Sequence, residues 1–424
     1  MKLICKPSQL KGTVEIPGSK SHTIRAVAIA SLASGTSSIH QPLESNDTLA
    51  AIDAYAALGA RITREPGQWR IVGTGGRLNA PQETIDVGNS GTTLRIAMGS
   101  CALLTDGKAR LTGDDQIQRR PVGPLAVALT DLGAHAESLN GNGCAPYEMA
   151  GRLRGGETSI EAITSQYLSS LLMATPLADG DSVIRVPVLN EKPYVTITLD
   201  WLERQGITID YDTYDEFKVS GGQQYLPVDR RIPGDFSSAT FFLAAGALGD
   251  NAVTSRGLDI NDTQGDRAVV DYLRQMGADV AIEADAIAIS PGTLTGCEID
   301  MNATPDALPM MAVLACFAEG TTRLINVPQA RMKETDRIAV MKQELDRLGA
   351  QVEELEDGLV IQQSDLQGTT VDGHGDHRVV MSLAIAGTMA TGDTIIEGAE
   401  AAAVTYPDFA DDLTALGGRV ELTD

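Results

Sequence analysis

Apolar and polar positions along the chain repeat one phrase six times: a stretch with apolar residues at helical spacing, a glycine, then an alternating run. The copies read Ala57-Leu58-Gly59-Ala60, Asp131-Leu132-Gly133-Ala134, Arg204-Gln205-Gly206-Ile207, Gln275-Met276-Gly277-Ala278, Arg347-Leu348-Gly349-Ala350 and Ala415-Leu416-Gly417-Gly418. Ahead of the glycine, residues such as Ile338, Met341, Leu345 and Leu348 share one helical face. The glycine suits a left-handed cap, because it has no Cβ to clash there. After it, Asp279 to Glu283, Gln351 to Leu355 and Arg419 to Leu422 alternate as strands with one buried face. One Leu-Gly-Ala means little, but six at helix-to-strand changes set an architecture of α/β repeats.

The glycines lie about 70 residues apart, longer than a solenoid repeat and long enough for two helices and several strands. Two domains of three repeats each fit the usual domain size better than six small ones. The crossing is expected in the polar run from Gly221-Gly222 to Asp235, where proline, charge and glycine read as a linker.

Composition narrows the partners. A net charge of -24 argues against a nucleic-acid backbone as ligand. Met1 to Pro7 has no apolar core of a secretory signal, and Ala307 to Ala318, interrupted by Pro309, is too short to span a bilayer. Cys5, Cys101, Cys144, Cys297 and Cys316 are scattered, without metal-site spacing, as reduced thiols are. His22, His40, His135, His374 and His377 form no zinc pattern. We therefore expect a cytoplasmic monomer with small-molecule partners.

In so acidic a chain, cations gathered in glycine-rich loops stand out. Pro17 to Arg25 and Gly88 to Arg95 each follow a short strand and open a helix, so glycines and hydroxyls there make an anion seat of free N–H groups. Gly18-Ser19-Lys20-Ser21 lacks the spacing of a nucleotide P-loop. Arg119-Arg120-Pro121, the charged turn Arg331 to Arg337 and Gly375-Asp376-His377-Arg378 add guanidiniums suited to phosphate and carboxylate. A single charged helix start is usually a solvated surface, but recurrence in a repeat protein points to a polyanionic ligand.

With these segments, 164–178, Glu191 to Tyr194, 233–245, Pro305-Asp306 and Thr405 to Phe409 complete an ordered motif series over essentially the whole chain. The series resembles the enolpyruvyl transferase family, in the branch that acts on shikimate 3-phosphate. The resemblance implies two domains, 20–232 and 1–19 with 233–424, each of three βαβαββ units about a pseudo-threefold axis with an interdomain cleft. It implies that phosphoenolpyruvate is protonated at C3, attacked at C2 by the 5-hydroxyl of shikimate 3-phosphate, and that the tetrahedral intermediate loses phosphate. No metal or organic cofactor is implied.

By motif position, the resemblance implies that Lys20, Gly91, Arg120, Gln166, Arg337 and Arg378 hold phosphoenolpyruvate. Lys20, Ser21, Arg25, Thr164, Ser165, Gln166, Tyr194, Asp306, Gln329 and Lys333 surround shikimate 3-phosphate. Asp306 is the implied base at the 5-hydroxyl, and Glu334 with Lys20 handles protons at C3. The plain alternatives are a helix cap for Asp306 and a helical ion pair for Glu334.

Four positions depart from the family pattern: Glu191 stands for a phosphate-contacting serine, Gln329 for asparagine, Gly375 for asparagine, and Val404 for a phosphate-binding lysine. Glu191 and Val404 keep open a paralogue with another cyclic acceptor; a non-catalytic anion-binding protein on the same scaffold is the other alternative, against which Lys20, Asp306, Glu334 and Arg378 argue. The related transferase of UDP-N-acetylglucosamine usually has a cysteine in the loop before its arginine-proline pair; Gly113 to Pro121 has none.

Overall fold

The six repeat glycines all take left-handed backbone, with φ from 72° to 107°, in the computed structural model, which describes residues 1–424. Each follows a helix: Asn46–Ala57, Gly123–Asp131, Lys192–Arg204, Val269–Met276, Arg337–Arg347 and Phe409–Ala415. In every copy the N–H after the glycine reaches back to a carbonyl five residues earlier, on Tyr55, Leu129, Leu202, Leu273, Leu345 or Leu413, at 2.9–3.1 Å. That bond satisfies carbonyls the ending helix leaves open. The side chains of those six residues are fully buried, so each turn is pinned from inside as well.

The strand after each glycine is the outermost strand of a four-stranded sheet. Its alternation therefore produces a half-buried face rather than a buried one. Ile62, Ala136, Ile209, Val280, Val352 and Val420 only lean on the cores, because one flank of each strand is open. All six sheets share one plan, a parallel pair followed by two antiparallel pairs.

The chain forms two compact units, Gly18–Ile232 and Met1–Pro17 with Pro233–Asp424, each with three sheets and its own core. The first seventeen residues supply two strands to the second of these. Lys2–Lys6 lies between Thr394–Glu397 and Arg419–Thr423, and Lys11–Glu15 runs parallel to Ala252–Arg256. The expected linker is in part a strand. Asp229–Arg231 pairs in parallel with Thr36–His40, and Arg230 stacks over Trp201 at 4.3 Å and bonds Asp200 at 3.2 Å. Its polar composition reflects an edge position, where alternate side chains face water.

Three helices in each unit are buried on nearly all sides. They are Lys20–Leu32, Gly91–Cys101 and Ser165–Ala174 in one, and Phe236–Gly246, Leu308–Ala315 and His377–Met389 in the other. Small residues such as Ala26, Ala28, Ala97, Ala244 and Ala384 let them pack closely. No helix is long and apolar enough to cross a membrane.

Two glycines of one repeat separate backbone strain from steric clash. A Cβ on Gly349 has room, with its nearest neighbour at 3.8 Å, but φ is 89°; a Cβ on Gly358 would sit 1.9 Å from the Leu324 carbonyl oxygen. Gly349→Ala is expected to cost about 1 kcal/mol, the left-handed penalty for an L-residue. Gly358→Ala should cost about 2–3 kcal/mol, because a sheet carbonyl must move. Denaturant midpoints of the two variants check the order; equal losses would contradict it.

Candidate active site

The buried helices begin in the polar loops singled out above, and their first turns carry the functional groups. In the Gly18–Ile232 unit the caps are hydroxyls: Ser19 accepts from His22 N–H, Ser90 from Thr93 N–H and Thr164 from Gln166 N–H. A hydroxyl cap leaves the positive end of the helix unneutralised. Gly18 is required by close approach, since a Cβ there would meet the Gln41 carbonyl oxygen at 2.5 Å.

Four cations of this unit stand at those helix starts. Lys20 pairs with the buried carboxylate of Asp47 at 3.0 Å. Arg25 donates to Thr198 Oγ1, the Ser21 carbonyl, Ser169 Oγ and the Tyr194 carbonyl at 2.8–3.2 Å. Of five N–H donors, one remains. Arg25 is thus mainly a clamp on its neighbours, and burial lowers its pKa to about 10. Arg95 donates to the Gly91 carbonyl, Gln166 Oε1 and the Pro121 carbonyl, all neutral acceptors. Burial, then the like charge of Arg120, brings its pKa to about 10, so it stays charged at neutral pH.

Gly91 lies between the two guanidiniums. A Cβ at this position would fall 2.5 Å from Arg95 Nη1 and 2.8 Å from Arg120 Nη1. Gln166 spans the same ground, accepting from Arg95 and donating to Thr92 Oγ1 at 3.1 Å. The Glu191 carboxylate is buried against the start of the Ser165–Ala174 helix, where it accepts from Thr164 and Ser165. His22 lies outside this chemistry: its Nδ1 accepts from Trp201 Nε1 in the core.

In the other unit the corresponding helix starts are acidic. Asp235 accepts from Ser237 N–H and Asp376 from Arg378 N–H. Asp306 stands one residue before Ala307, the cap of the third buried helix. Its carboxylate instead meets Arg337 at 2.8 Å, Arg378 at 3.0 Å and Lys333 at 3.6 Å. Arg337 is wholly buried and also grips Glu334 at 2.7 Å and Asp376 at 2.8 Å. Burial alone would lower its pKa; Asp376, Glu334 and Asp306 outweigh that and hold it above the ordinary value. For Asp376, burial pushes the carboxyl up, but Arg337 prevails and the net shift is downward.

Gln329 is buried and donates to the Asn302 carbonyl, while its amide oxygen has no partner, an acceptor left for a hydroxyl. Arg331 belongs to the scaffold, tied to Asp336, Glu354 and two carbonyls. Gly375 has φ 68° beside His374 at 52°, a turn that delivers Asp376 to its helix cap. Val404 ends a short 3-10 helix, Ala399–Val404, ahead of buried Tyr406. Among the site residues named from sequence, Asp306, Lys333, Glu334, Arg337 and Arg378 form one network, and Gly91, Arg120 and Gln166 another. Thr92, Arg95 and Asp376 join them, and Asp47 pairs with Lys20, without having been assigned there. The cation Arg95 and the Asp-His-Arg turn carried a signal, whereas Asp47 reads only as a helix start.

Removing Arg337 takes a shared cation from Asp306, Glu334 and Asp376, of which Asp306 still keeps Arg378 and Lys333. Arg337→Met is expected to destabilise the chain by roughly 3–5 kcal/mol, the range for breaking a buried ion pair. The depressed Asp376 carboxyl contributes stability above its unfolded pKa of about 3.9, and that contribution is lost as pH falls through the lower folded value. Asp376→Asn should therefore flatten the acid limb of stability below about pH 4. An unfolding free energy with the wild-type slope in that window would contradict the assignment.

Sequence and structure comparisons bear on the family to which the chain belongs. A family model described as EPSP synthase (3-phosphoshikimate 1-carboxyvinyltransferase) matches residues 4–413. The chain is 51% identical over 420 residues to the 3-phosphoshikimate 1-carboxyvinyltransferase of Acetivibrio thermocellus, covering 99% of each. It is 49% identical over 422 residues to the enzyme of that name from Ruminiclostridium cellulolyticum, covering 100% of each. A solved EPSP synthase from Acinetobacter baumannii superposes with a TM-score of 0.84 at 27% identity, over 100% of both chains. A repeat fold whose buried helices start in polar, charged loops, matched along its length by such relatives, places this chain in the EPSP synthase family, the enzymes of the shikimate pathway that transfer the enolpyruvyl group of phosphoenolpyruvate to shikimate 3-phosphate.

Proposed function

We propose that the residues assembled at the buried helix starts carry this transfer in the following roles. Lys20, Gly91, Arg120 and Gln166, with Arg337 and Arg378, hold phosphoenolpyruvate. Ser21, Arg25, Thr164, Ser165, Gln166 and Tyr194, with Gln329, Lys333 and again Lys20, hold shikimate 3-phosphate. Asp306 takes the proton of the 5-hydroxyl, and Glu334 with Lys20 serves C3. The enzyme works in the cytoplasm as a monomer; its five free cysteines suit a reducing compartment.

The observation that carries the reading is the Arg95–Arg120 pair around Gly91. Arg95 hydrogen-bonds only neutral acceptors, with the Glu191 carboxylate acting on it through space alone, so its buried guanidinium can still pair with an incoming carboxylate or phosphate. Pre-placed cations of this kind stabilise the negative charge that develops on the phosphate as its C2–O bond breaks in the tetrahedral intermediate. Asp306 is held by three cations on fixed elements. When substrate anions share those cations, its oxygens become available to the 5-hydroxyl. Glu334 is held through Arg337, whose guanidinium orients its carboxylate.

Phosphate release from phosphoenolpyruvate, measured with and without shikimate 3-phosphate, tests the reading as a whole; release must need both substrates. Asp306→Asn should lower turnover roughly 10²–10⁴-fold with little change in shikimate 3-phosphate binding, as expected when a general base is removed. Lys333→Ala should raise KM for shikimate 3-phosphate before it touches turnover. Gly91→Ala should weaken phosphoenolpyruvate binding about tenfold, about 1.4 kcal/mol, by pushing the two guanidiniums apart. Near wild-type turnover in Asp306→Asn would leave Asp306 as a positioning residue only.

A further inference from the structure

Glu191 stands at the N-cap position of its own helix, Lys192–Arg204, and its side chain makes no cap bond there. Its backbone is left-handed, φ 56° and ψ 39°, a conformation uncommon outside glycine, asparagine and aspartate. This turn sends the side chain to the start of a different helix, Ser165–Ala174. There Oε2 accepts from Ser165 Oγ at 2.8 Å, Ser165 N–H at 3.2 Å and Thr164 Oγ1 at 3.2 Å. Only 1% of Glu191 is exposed. It is also near enough to Arg95 for its charge to act on that guanidinium.

Three donors converging on one anionic oxygen at a helix N-terminus are the arrangement that binds a phosphate oxygen. Thr164 and Ser165 are assigned above to the acceptor substrate, and the inference rests on that assignment. We infer that Glu191 is a specificity-determining residue whose carboxylate occupies, in the unliganded chain, the seat of the acceptor's phosphate. Shikimate 3-phosphate must displace it to use those three donors. An acceptor with a hydroxyl in place of the phosphate meets no such competition, so Glu191 narrows the preference for the phosphorylated ligand.

Two variants separate charge from occupancy. Glu191→Gln keeps the size and removes the charge. Glu191→Asn withdraws from the seat and tolerates the left-handed backbone. Binding of shikimate 3-phosphate and of shikimate is measured by calorimetry on the full chain. The expected result is a Kd for shikimate 3-phosphate lower by about tenfold in Glu191→Asn and by less in Glu191→Gln, with shikimate changed by less than about threefold. A merely structural role would weaken both ligands together, and that result, or an unchanged preference, overturns the proposal. Should Glu191→Asn fail to fold, Glu191→Gln decides by the same comparison. Wild-type turnover with shikimate 3-phosphate, measured alongside, separates the two levels of failure. Turnover with no change in preference removes only the role of Glu191; no turnover removes the substrate assignment and this proposal with it.

Discussion

Six helices buried on nearly every side must each begin somewhere, and the N–H groups of their first turns have no partners within the helix. That need governs much of the rest of the structure. It calls for a polar loop at each helix start, a cap at its head and glycine where the loop passes close to other backbone. It also concentrates oriented dipoles where the fold has little water to screen them.

The two units answer the need with opposite chemistry. Serine and threonine cap the helices of residues 18–232, and the charges gathered there are mostly cationic, Arg25, Arg95 and Arg120. Aspartates stand at the helix starts of the other unit, and their charge is matched by Lys333, Arg337 and Arg378. One unit therefore gathers hydroxyls and guanidiniums at its helix starts. The other gathers carboxylates held in place by cations. The contrast in local charge follows from the choice of cap.

The architecture was legible because its signal is short-range. A helix that ends in a left-handed glycine and turns into a strand shows in four residues, and six repeats leave little freedom. Pairing between distant segments was less legible. Asp229–Arg231 reads as linker because its partner, Thr36–His40, lies far away in sequence and its outward side chains are polar. The cation-rich loops could be picked out, but not which cations do structural work. Arg25 spends most of its donors on carbonyls and hydroxyls, and Arg331 divides its own between two carboxylates and two carbonyls, partners that spacing cannot reveal. The reach of Glu191 depends on a backbone conformation that its residue type disfavours, so no pattern announces it.

The N-terminal strands have a consequence for how the protein is made. Lys2–Lys6 pairs only with strands at Thr394–Glu397 and Arg419–Thr423, segments synthesised long after it. At roughly 5–20 residues per second, the first strand waits about 20–80 s for its neighbours, while residues 18–232 have all they need to form a core. For that interval Leu3 and Cys5, later buried at 2% and 0% exposure, are unpaired chain. The nascent protein is thus a folded unit with a sticky leader ahead of it. Fusion partners or tags at Met1 act on the step that completes the second core, not on the first.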